Sequence, residues 1–233
     1  MLCGRIAQLC RCANRPAGTH RALGVRMLHR IQGLFSLFLL LAACSLCIAQ
    51  EPYFPPSVFG EGKWGVFEAR IDGFYLKRLQ EPSLLTEAQS TSTEAYRFLW
   101  LRTFHNPVAV RMELQSNGSS ILTIKVADGH AGFPRTVTKL IQNTTRSISR
   151  EQTDAFRKKV QTEGFWNARS RDIGAPDTTD ADGWIFEAVT KGKYHIVTRT
   201  IPNTLPETCK TVQNLGLMLA IDLGQLNIPE DER

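Results

Sequence analysis

The run DGWIFEAVTKGKYHIVTRTIP (182–202), in the last quarter of the chain, holds the side chains best suited to chemistry. His195 titrates near neutral pH and could act as a general base if a carboxylate lay within hydrogen-bond reach. Glu187 and Asp182 are carboxylates of the same run. Together they would make a hydrolase of an unfamiliar type, which is one interpretation of this run.

The same run also predicts a β-hairpin, and the hairpin register decides which of these groups can meet. A two-residue loop at the Lys-Gly pair would pair Trp184 with Arg199 and put His195 and Glu187 on opposite faces. A three-residue loop would shift the register by one and put Glu187 on the face of His195. The shorter loop is the commoner choice with glycine at its second central position. It makes Trp184 and Arg199 a stacked cross-strand pair, and leaves both of them and His195 as weak candidates for binding.

Outside residues 182–202, the sequence motifs of known nucleotide-binding and metal sites are incomplete. Residues 60–65 match G-x-G-x-x-G, but that fingerprint needs a strand before it and a helix after it. A proline-rich segment precedes these glycines, and residues 66–76 are interpreted as an alternating, strand-like segment. The body's histidines lie in separate segments without metal-ligand spacing, and they are His105, His130 and His195. We therefore expect no catalytic residue, no metal and no cofactor.

The first 49 residues have the pattern of a secretory signal peptide. The first 50 residues contain six arginines, no lysine and no acidic residue, and an apolar run covers 33–43. A basic start, an apolar run and small residues at the end are typical of export. We expect residues 1–26 to be an extension upstream of the true start at Met27. A mitochondrial transit peptide is the lesser alternative, because the apolar run has no polar face.

Two processing signals overlap where the signal peptide ends. The sequence LAAC, ending at Cys44, resembles the lipobox of bacterial lipoproteins, and CIA, ending at Ala49, resembles an ordinary cleavage site. Lipidation of Cys44 and plain cleavage after Ala49 both stay open. Either predicts export to the periplasm, to the outer membrane if lipidated, or to the medium. Membrane contact is expected only through the signal peptide or a lipid anchor.

The body beyond residue 50 is electrically neutral. Of the 28 Lys and Arg, six belong to the leader, so 28 − 6 = 22 basic residues face 22 acidic ones. A body without excess positive charge argues against nucleic acid as a partner. Five of the six cysteines also belong to the leader, so no disulfide framework is expected. Cys209 is interpreted as a small buried hydrophobe.

Periodicity divides the body into an arm, one domain and a tail. A Pro/Gly-rich arm is predicted over 50–63, a single domain over 64–228 and a charged tail over 229–233. Ser149 and Gln152 have the spacing of a capping box, which indicates a helix start. Turn residues between segments and apolar residues at helical spacing indicate the other element boundaries. Strands are predicted at 95–104, 108–114, 121–127 and within 136–148, followed by the hairpin, with helices at 150–163 and 206–223. This predicts an α+β domain, a mostly antiparallel sheet with about two helices packed on one face.

The body resembles a group of exported bacterial proteins to which no activity is assigned. The resemblance rests on YRFLWLRTFHNPVAVRMEL (96–114), SREQTDAFRKKVQTEGFW (149–166) and the run 182–202. It covers about half of the body. It implies export and the domain boundaries, but no cofactor and no catalytic residue.

Two functions remain compatible with the sequence. The first is a non-catalytic exported envelope protein, a binding or structural module whose ligand and partner the sequence does not name. The second is an envelope hydrolase that uses His195 with Glu187 or Asp182. Neutrality favours the first, because the body offers no field to steer charged substrates.

Overall fold

Alternating apolar residues build six strands into one antiparallel sheet. The computed structural model describes residues 52–131, 136–171, 182–201 and 207–228; the predicted processing sites at Cys44 and Ala49 and the tail 229–233 lie outside them. The strand order is β4-β3-β2-β1-β5-β6. The strands are β1 (Glu94–Leu101), β2 (Val108–Leu114), β3 (Ser120–Ala127), β4 (Leu140–Ile148), β5 (Asp182–Thr190) and β6 (Lys193–Ile201).

Helices cover both faces of this sheet. We call one face of the sheet the C-terminal face, because α3 (Arg150–Thr162), α4 (Lys210–Leu217) and the π-helix after α4 pack on it. The opposite face, on which α1 (Gly62–Arg78) and the segment before it pack, is the N-terminal face. Cβ on Gly216 of α4 would lie 2.6 Å from Cε2 of Phe98, so the helix backbone lies directly on the sheet. The helices are α1 (Gly62–Arg78), α2 (Leu84–Glu87), α3 (Arg150–Thr162) and α4 (Lys210–Leu217), with a π-helix at Met218–Leu223 and 3₁₀ helices at Pro56–Phe59, Phe165–Asn167 and Glu207–Cys209.

The predicted α+β class with a mostly antiparallel sheet is confirmed, and α3 and α4 share one face of it as expected. The capping box is confirmed in detail. The Ser149 hydroxyl accepts from the backbone N–H of Gln152 at 3.2 Å, and the Gln152 side chain accepts from the N–H of Ser149 at 3.1 Å. Two of the four donors that a helix start leaves unpaired are satisfied in this way.

The interpretation of residues 66–76 as strand-like was wrong, because they lie inside α1 on the second face of the sheet. Its inner side is lined by residues four apart, Gly65, Ala69 and Gly73, a helical and not an alternating spacing. A helix therefore does open from the glycine motif, beginning at Gly62. A 3₁₀ helix, and not the strand that the dinucleotide fingerprint requires, precedes the motif.

The predicted arm is also corrected. Phe54 and Phe59 are buried in the core of the N-terminal face, and their rings meet edge to face at 5.5 Å between centroids. The Tyr53 hydroxyl donates to the carbonyl of Glu81 at 3.0 Å. The packed domain thus begins before residue 64, and the described residues from 52 onward group as one compact unit. None of the helices among the described residues is long and apolar enough to cross a membrane.

Candidate functional site

The hairpin register is the one expected from a two-residue loop. Lys191 and Gly192 have φ of 48° and 77°, the positive values that a type I′ turn needs at both central positions. Trp184 is paired with Arg199, and Ala188 with His195. His195 therefore lies on the C-terminal face, and Glu187 points to the other side of the sheet.

Trp184 is a core residue of the C-terminal face. Its side chain is buried, and its ring lies 5.8 Å from that of Phe98 and 5.6 Å from that of Trp100. Both contacts are edge to face, which is a favoured aromatic geometry. The position of Trp184 is explained by packing between the sheet and the C-terminal helices.

Arg199 holds a loop and a helix start against the sheet. Its guanidinium donates to the carbonyl of Thr208 at 2.8 Å, to that of Arg169 at 3.1 Å and to that of Thr198 at 2.7 Å. The predicted pairing with Trp184 is present in the register, but these donors are directed at backbone oxygens. Such charge-assisted bonds fix the segment 168–171 along β6.

His195 is held by the same segment. Its Nε2 lies 3.0 Å from the carbonyl oxygen of Ala168, and its ring meets Phe165 edge to face at 4.9 Å. Because a carbonyl can only accept, Nε2 carries the proton. Burial lowers the pKa of His195 below its ordinary value, which keeps the ring neutral at physiological pH.

The structure does not bring His195 together with either carboxylate proposed for it. The Glu187 side chain contacts Arg97 and Tyr194 on the N-terminal face. Asp182 accepts from the Thr103 N–H at 2.9 Å and from Trp100 Nε1 at 3.2 Å. Asp182 pairs with Ile201 at the far end of the hairpin. At about 3.3 Å per residue, it lies about 20 Å from His195 along the strand. The structure therefore lacks the pairing of His195 with Glu187 or Asp182 that the hydrolase hypothesis requires.

A buried ion cluster crosses the N-terminal face, and sequence reasoning missed it. Glu187 Oε2 accepts from Arg97 Nη2 at 2.6 Å, and both side chains are fully buried. Glu81, in the link after α1, accepts from Arg111 Nε at 2.9 Å and lies 2.8 Å from Lys125 Nζ. The members of the cluster are Glu81, Arg97, Arg111, Lys125, Glu187 and Tyr194.

The two carboxylates of the cluster have opposite pKa shifts. Burial raises the pKa of Glu187 even though Arg97 opposes it. Burial would also raise the pKa of Glu81, but Arg97, Arg111 and Lys125 together outweigh burial and lower it. Glu113 is a third carboxylate paired with Arg111, so the three cations are matched within the protein and the cluster is an internal brace between sheet and link. Charged side chains at alternate positions of central strands were the signal for it.

The two edges of the sheet differ in what covers them. At the β6 edge, the N–H of Thr198 donates to the carbonyl of Ser170 at 2.7 Å, and Arg199 and His195 bind the same segment. At the β4 edge, no further strand pairs with residues 140–148 among the described parts of the chain. That edge has no proline and one charged residue, Arg146, although proline and lysine are common protections of natural edges.

A groove of about 560 Å³ lies beside the β4 edge. Its floor includes Ile124, one wall is formed by side chains of β4, and the other wall is the turn 224–227. The turn follows the π-helix, and Gln225 within it has φ of 54°, in the left-handed region. π-Helical turns are frequent at functional sites.

The β4 side chains in the groove share one face of the strand. Gln142, Thr144 and Arg146 pair with core positions of β3, so they stand on the C-terminal face at every second residue. Arg146 Nη1 donates to the carbonyl of Gly224 at 3.2 Å and connects the two walls. An open strand edge beside a polar groove is the arrangement that binds extended peptides by strand addition.

Three or more possible metal ligands do not cluster anywhere in the described residues. Comparison with models of known protein families and with curated proteins finds no match to this chain. The resemblance to a group of exported bacterial proteins therefore stays a prediction.

Proposed function

We propose that this protein is an exported, non-catalytic envelope module that binds an extended peptide segment of a partner by adding it to the sheet at β4. The observation that carries the proposal is the edge of β4, which lies beside a polar groove and pairs with no further strand among the described residues. The opposite edge of the sheet is covered by the protein's own chain. Backbone hydrogen bonds from β4 would supply affinity, because they do not depend on the peptide sequence.

The groove would supply the specificity. Alternate side chains of an added strand stand on one face, next to Gln142, Thr144 and Arg146. Amide and hydroxyl groups favour polar peptide side chains there. Arg146 offers five N–H donors, of which one is directed at Gly224. An acidic peptide side chain opposite Arg146 is the expected anchor, because arginine binds carboxylates in a bidentate manner.

Two further observations support a binding role. Glu187, Asp182 and His195, the groups considered for catalysis, are engaged in internal contacts. The groove contains polar side chains suited to recognition and no pair of acid and base. Export is supported by the leader sequence, with its arginines, apolar run and small-residue end.

The peptide prediction is tested with sequences selected from a random display library on protein that begins at Gln50. Neighbouring residues of a strand point their N–H groups in opposite directions, so only one of Asn143→Pro and Thr144→Pro removes a donor bonded to β3. The other removes only an outward donor, which an edge strand tolerates. We expect the variant that keeps its stability to lose peptide affinity by about tenfold or more, since a backbone bond is lost.

N-methylation along the selected peptide is the matching control on the ligand. Blocking every second peptide N–H should abolish binding and blocking the alternate set should not, which is the mark of strand pairing. Binding insensitive to both proline variants would overturn the proposal. A dimer of the protein that the stable proline variant converts to monomer would also overturn it, since β4 would then bind a second copy.

Export makes a separate prediction at Cys44. If this cysteine is lipidated, the wild type should partition with membranes and Cys44→Ala should be released or left unprocessed, as followed by fractionation and intact mass. If cleavage follows Ala49, both should be the same species starting at Gln50. A mature protein that keeps residues 1–26 in the cytosol would contradict export.

A further inference from the structure

The solvent side of α1 has an unusual composition. On a helix with 3.6 residues per turn, nine residues fall within an arc of roughly 160°. All of them are apolar or basic, and none is acidic. We call this arc the outer face of α1, and it consists of Lys63, Trp64, Val66, Phe67, Arg70, Ile71, Phe74, Lys77 and Arg78. Ile71 and Phe74 are partly buried against the core, whereas Trp64, Val66 and Phe67 are exposed. Glu68 and Asp72, the acidic residues of the helix, lie outside the arc.

In the first part of this helix small residues face inward, and large residues are buried only near its end, at Tyr75 and Leu76. Cβ on Gly65 would lie 2.1 Å from the carbonyl oxygen of Gly60, so only glycine fits there. Trp64 is 75% exposed and Phe67 51% exposed, and their rings form an edge-to-face pair at 5.9 Å. Packing in the domain does not explain this pair. Exposed aromatic patches of this kind mark interaction surfaces.

The charge of the outer face selects the kind of surface that would cover it. Four cations share the arc with five apolar residues, although the body as a whole has 22 basic and 22 acidic residues. The guanidinium carbon of Arg78 lies 5.0 Å from the centre of the Phe74 ring. Aromatic and basic residues on one helix face are typical of helices that lie in the interface of an anionic bilayer.

The position of α1 relative to the leader points to the same surface. The chain enters the domain beside this helix, because Cβ on Gly73 would lie 3.4 Å from the Tyr53 ring. Cys44 precedes Pro52 by eight residues, 52 − 44. Eight residues span at most about 30 Å when fully extended. A lipid on Cys44 would therefore keep Pro52, where the chain enters beside α1, within that distance of the membrane.

We propose that the outer face of α1 lies on the surface of an anionic membrane, with Trp64 and Phe67 inserted among the headgroups and the four basic residues near the phosphates. This surface goes beyond the proposed peptide binding and does not depend on it. The groove beside β4 lies on the C-terminal side of the sheet and α1 on the other, so both can be occupied together.

Vesicle binding of the protein that begins at Gln50 tests this surface. Vesicles of equal parts phosphatidylethanolamine and phosphatidylglycerol should bind it, and vesicles of phosphatidylcholine alone should bind it much less. Trp64→Ser with Phe67→Ser should lower the partition coefficient by about tenfold or more. Lys63→Glu with Arg70→Glu should remove the preference for phosphatidylglycerol, and added salt should do the same.

Phe104→Ser is the matched control, because Phe104 is 73% exposed and lies outside α1. It should leave vesicle binding unchanged. Equal binding to both vesicle types, or binding insensitive to the Trp64 and Phe67 substitutions, would overturn the proposal. Self-association of the wild type that these substitutions abolish would also overturn it, by making the face a protein interface. Peptide affinity measured on the same variants separates this result from that of the β4 proposal.

Discussion

Arg97→Met should cost about 3–5 kcal/mol of folding stability, because it leaves buried carboxylates without their cation. Arg97 is fully buried and gives Glu187 two hydrogen bonds, at 2.8 and 2.6 Å, from Nε and Nη2. Its Nη1 lies 3.6 Å from Glu81. Urea unfolding at neutral pH measures the loss as a lower midpoint.

The deficit of this variant should shrink as the pH falls. Removing Arg97 raises the folded-state pKa of Glu187 further above its unfolded value. It also raises the pKa of Glu81, which in the wild type is lowered by three cations, one of them Arg97. An acid with a raised folded pKa takes up a proton on folding, so its folded state gains stability as the pH drops through that pKa. The wild type meanwhile begins to lose the contribution of Glu81. We therefore expect a smaller difference near pH 5 than near pH 7.

Two controls separate this effect from general damage to the sheet. Glu113→Gln removes an ion pair of Arg111 at the partly exposed rim, and it should cost under about 1 kcal/mol. Replacing Arg97 and Glu187 together by methionine removes the unpaired charge and should recover part of the loss. A cost for Arg97→Met no larger than that for Glu113→Gln would contradict the brace assigned to the buried ion cluster.

Trp184→Ala should cost about 3–5 kcal/mol, the range for a large aromatic residue removed from a packed core. The Trp184 ring is 2% exposed and contacts the rings of Phe98 and Trp100. His195→Gln should cost under about 1.5 kcal/mol, because an amide N–H can replace the ring N–H at the Ala168 carbonyl. Urea midpoints of the two variants give the ranking.

The reverse order would contradict the structural role assigned to the hairpin. So would a His195→Gln variant that folds normally but loses a cellular phenotype that Trp184→Ala keeps. Either result would make His195 a functional residue. The two variants are matched, because both side chains stand on the same face of one hairpin.

Local signals predicted much of the fold. The spacing of Ser149 and Gln152 predicted the start of α3, and the alternation in VAVRMEL predicted β2 with the observed bounds, Val108–Leu114. The Lys-Gly loop favoured the observed register of the hairpin but left a three-residue loop as the alternative. In each case a few neighbouring residues determine the structure, through a cap, a pleat or a turn.

The errors have one common origin. α1 was missed because its outer face also carries large apolar residues, so its inward Gly65, Ala69 and Gly73 did not stand out as a helical stripe. Without α1, the prediction placed helices on one face of the sheet and none on the second. Covering that face buries Arg97 and Arg111, and the buried ion cluster follows.

The candidate site was beyond the reach of local patterns for a different reason. The strand at 140–148 was expected, but its place at an edge of the sheet depends on which strands pair. The groove also needs the turn 224–227, which lies about 80 residues further along the chain. Long-range pairing of this kind is decided by topology and not by local periodicity.

Residue-resolved hydrogen–deuterium exchange tests peptide addition at β4 most directly. Protein that begins at Gln50 is compared with and without a selected peptide. We expect every second amide of residues 142–148 to exchange at least about tenfold more slowly when the peptide is bound, since an outward N–H gains a partner. Thr198 on β6 should not change, because its N–H already donates to Ser170. Protection confined to other elements, with the amides of β4 unchanged, would contradict peptide addition at this edge.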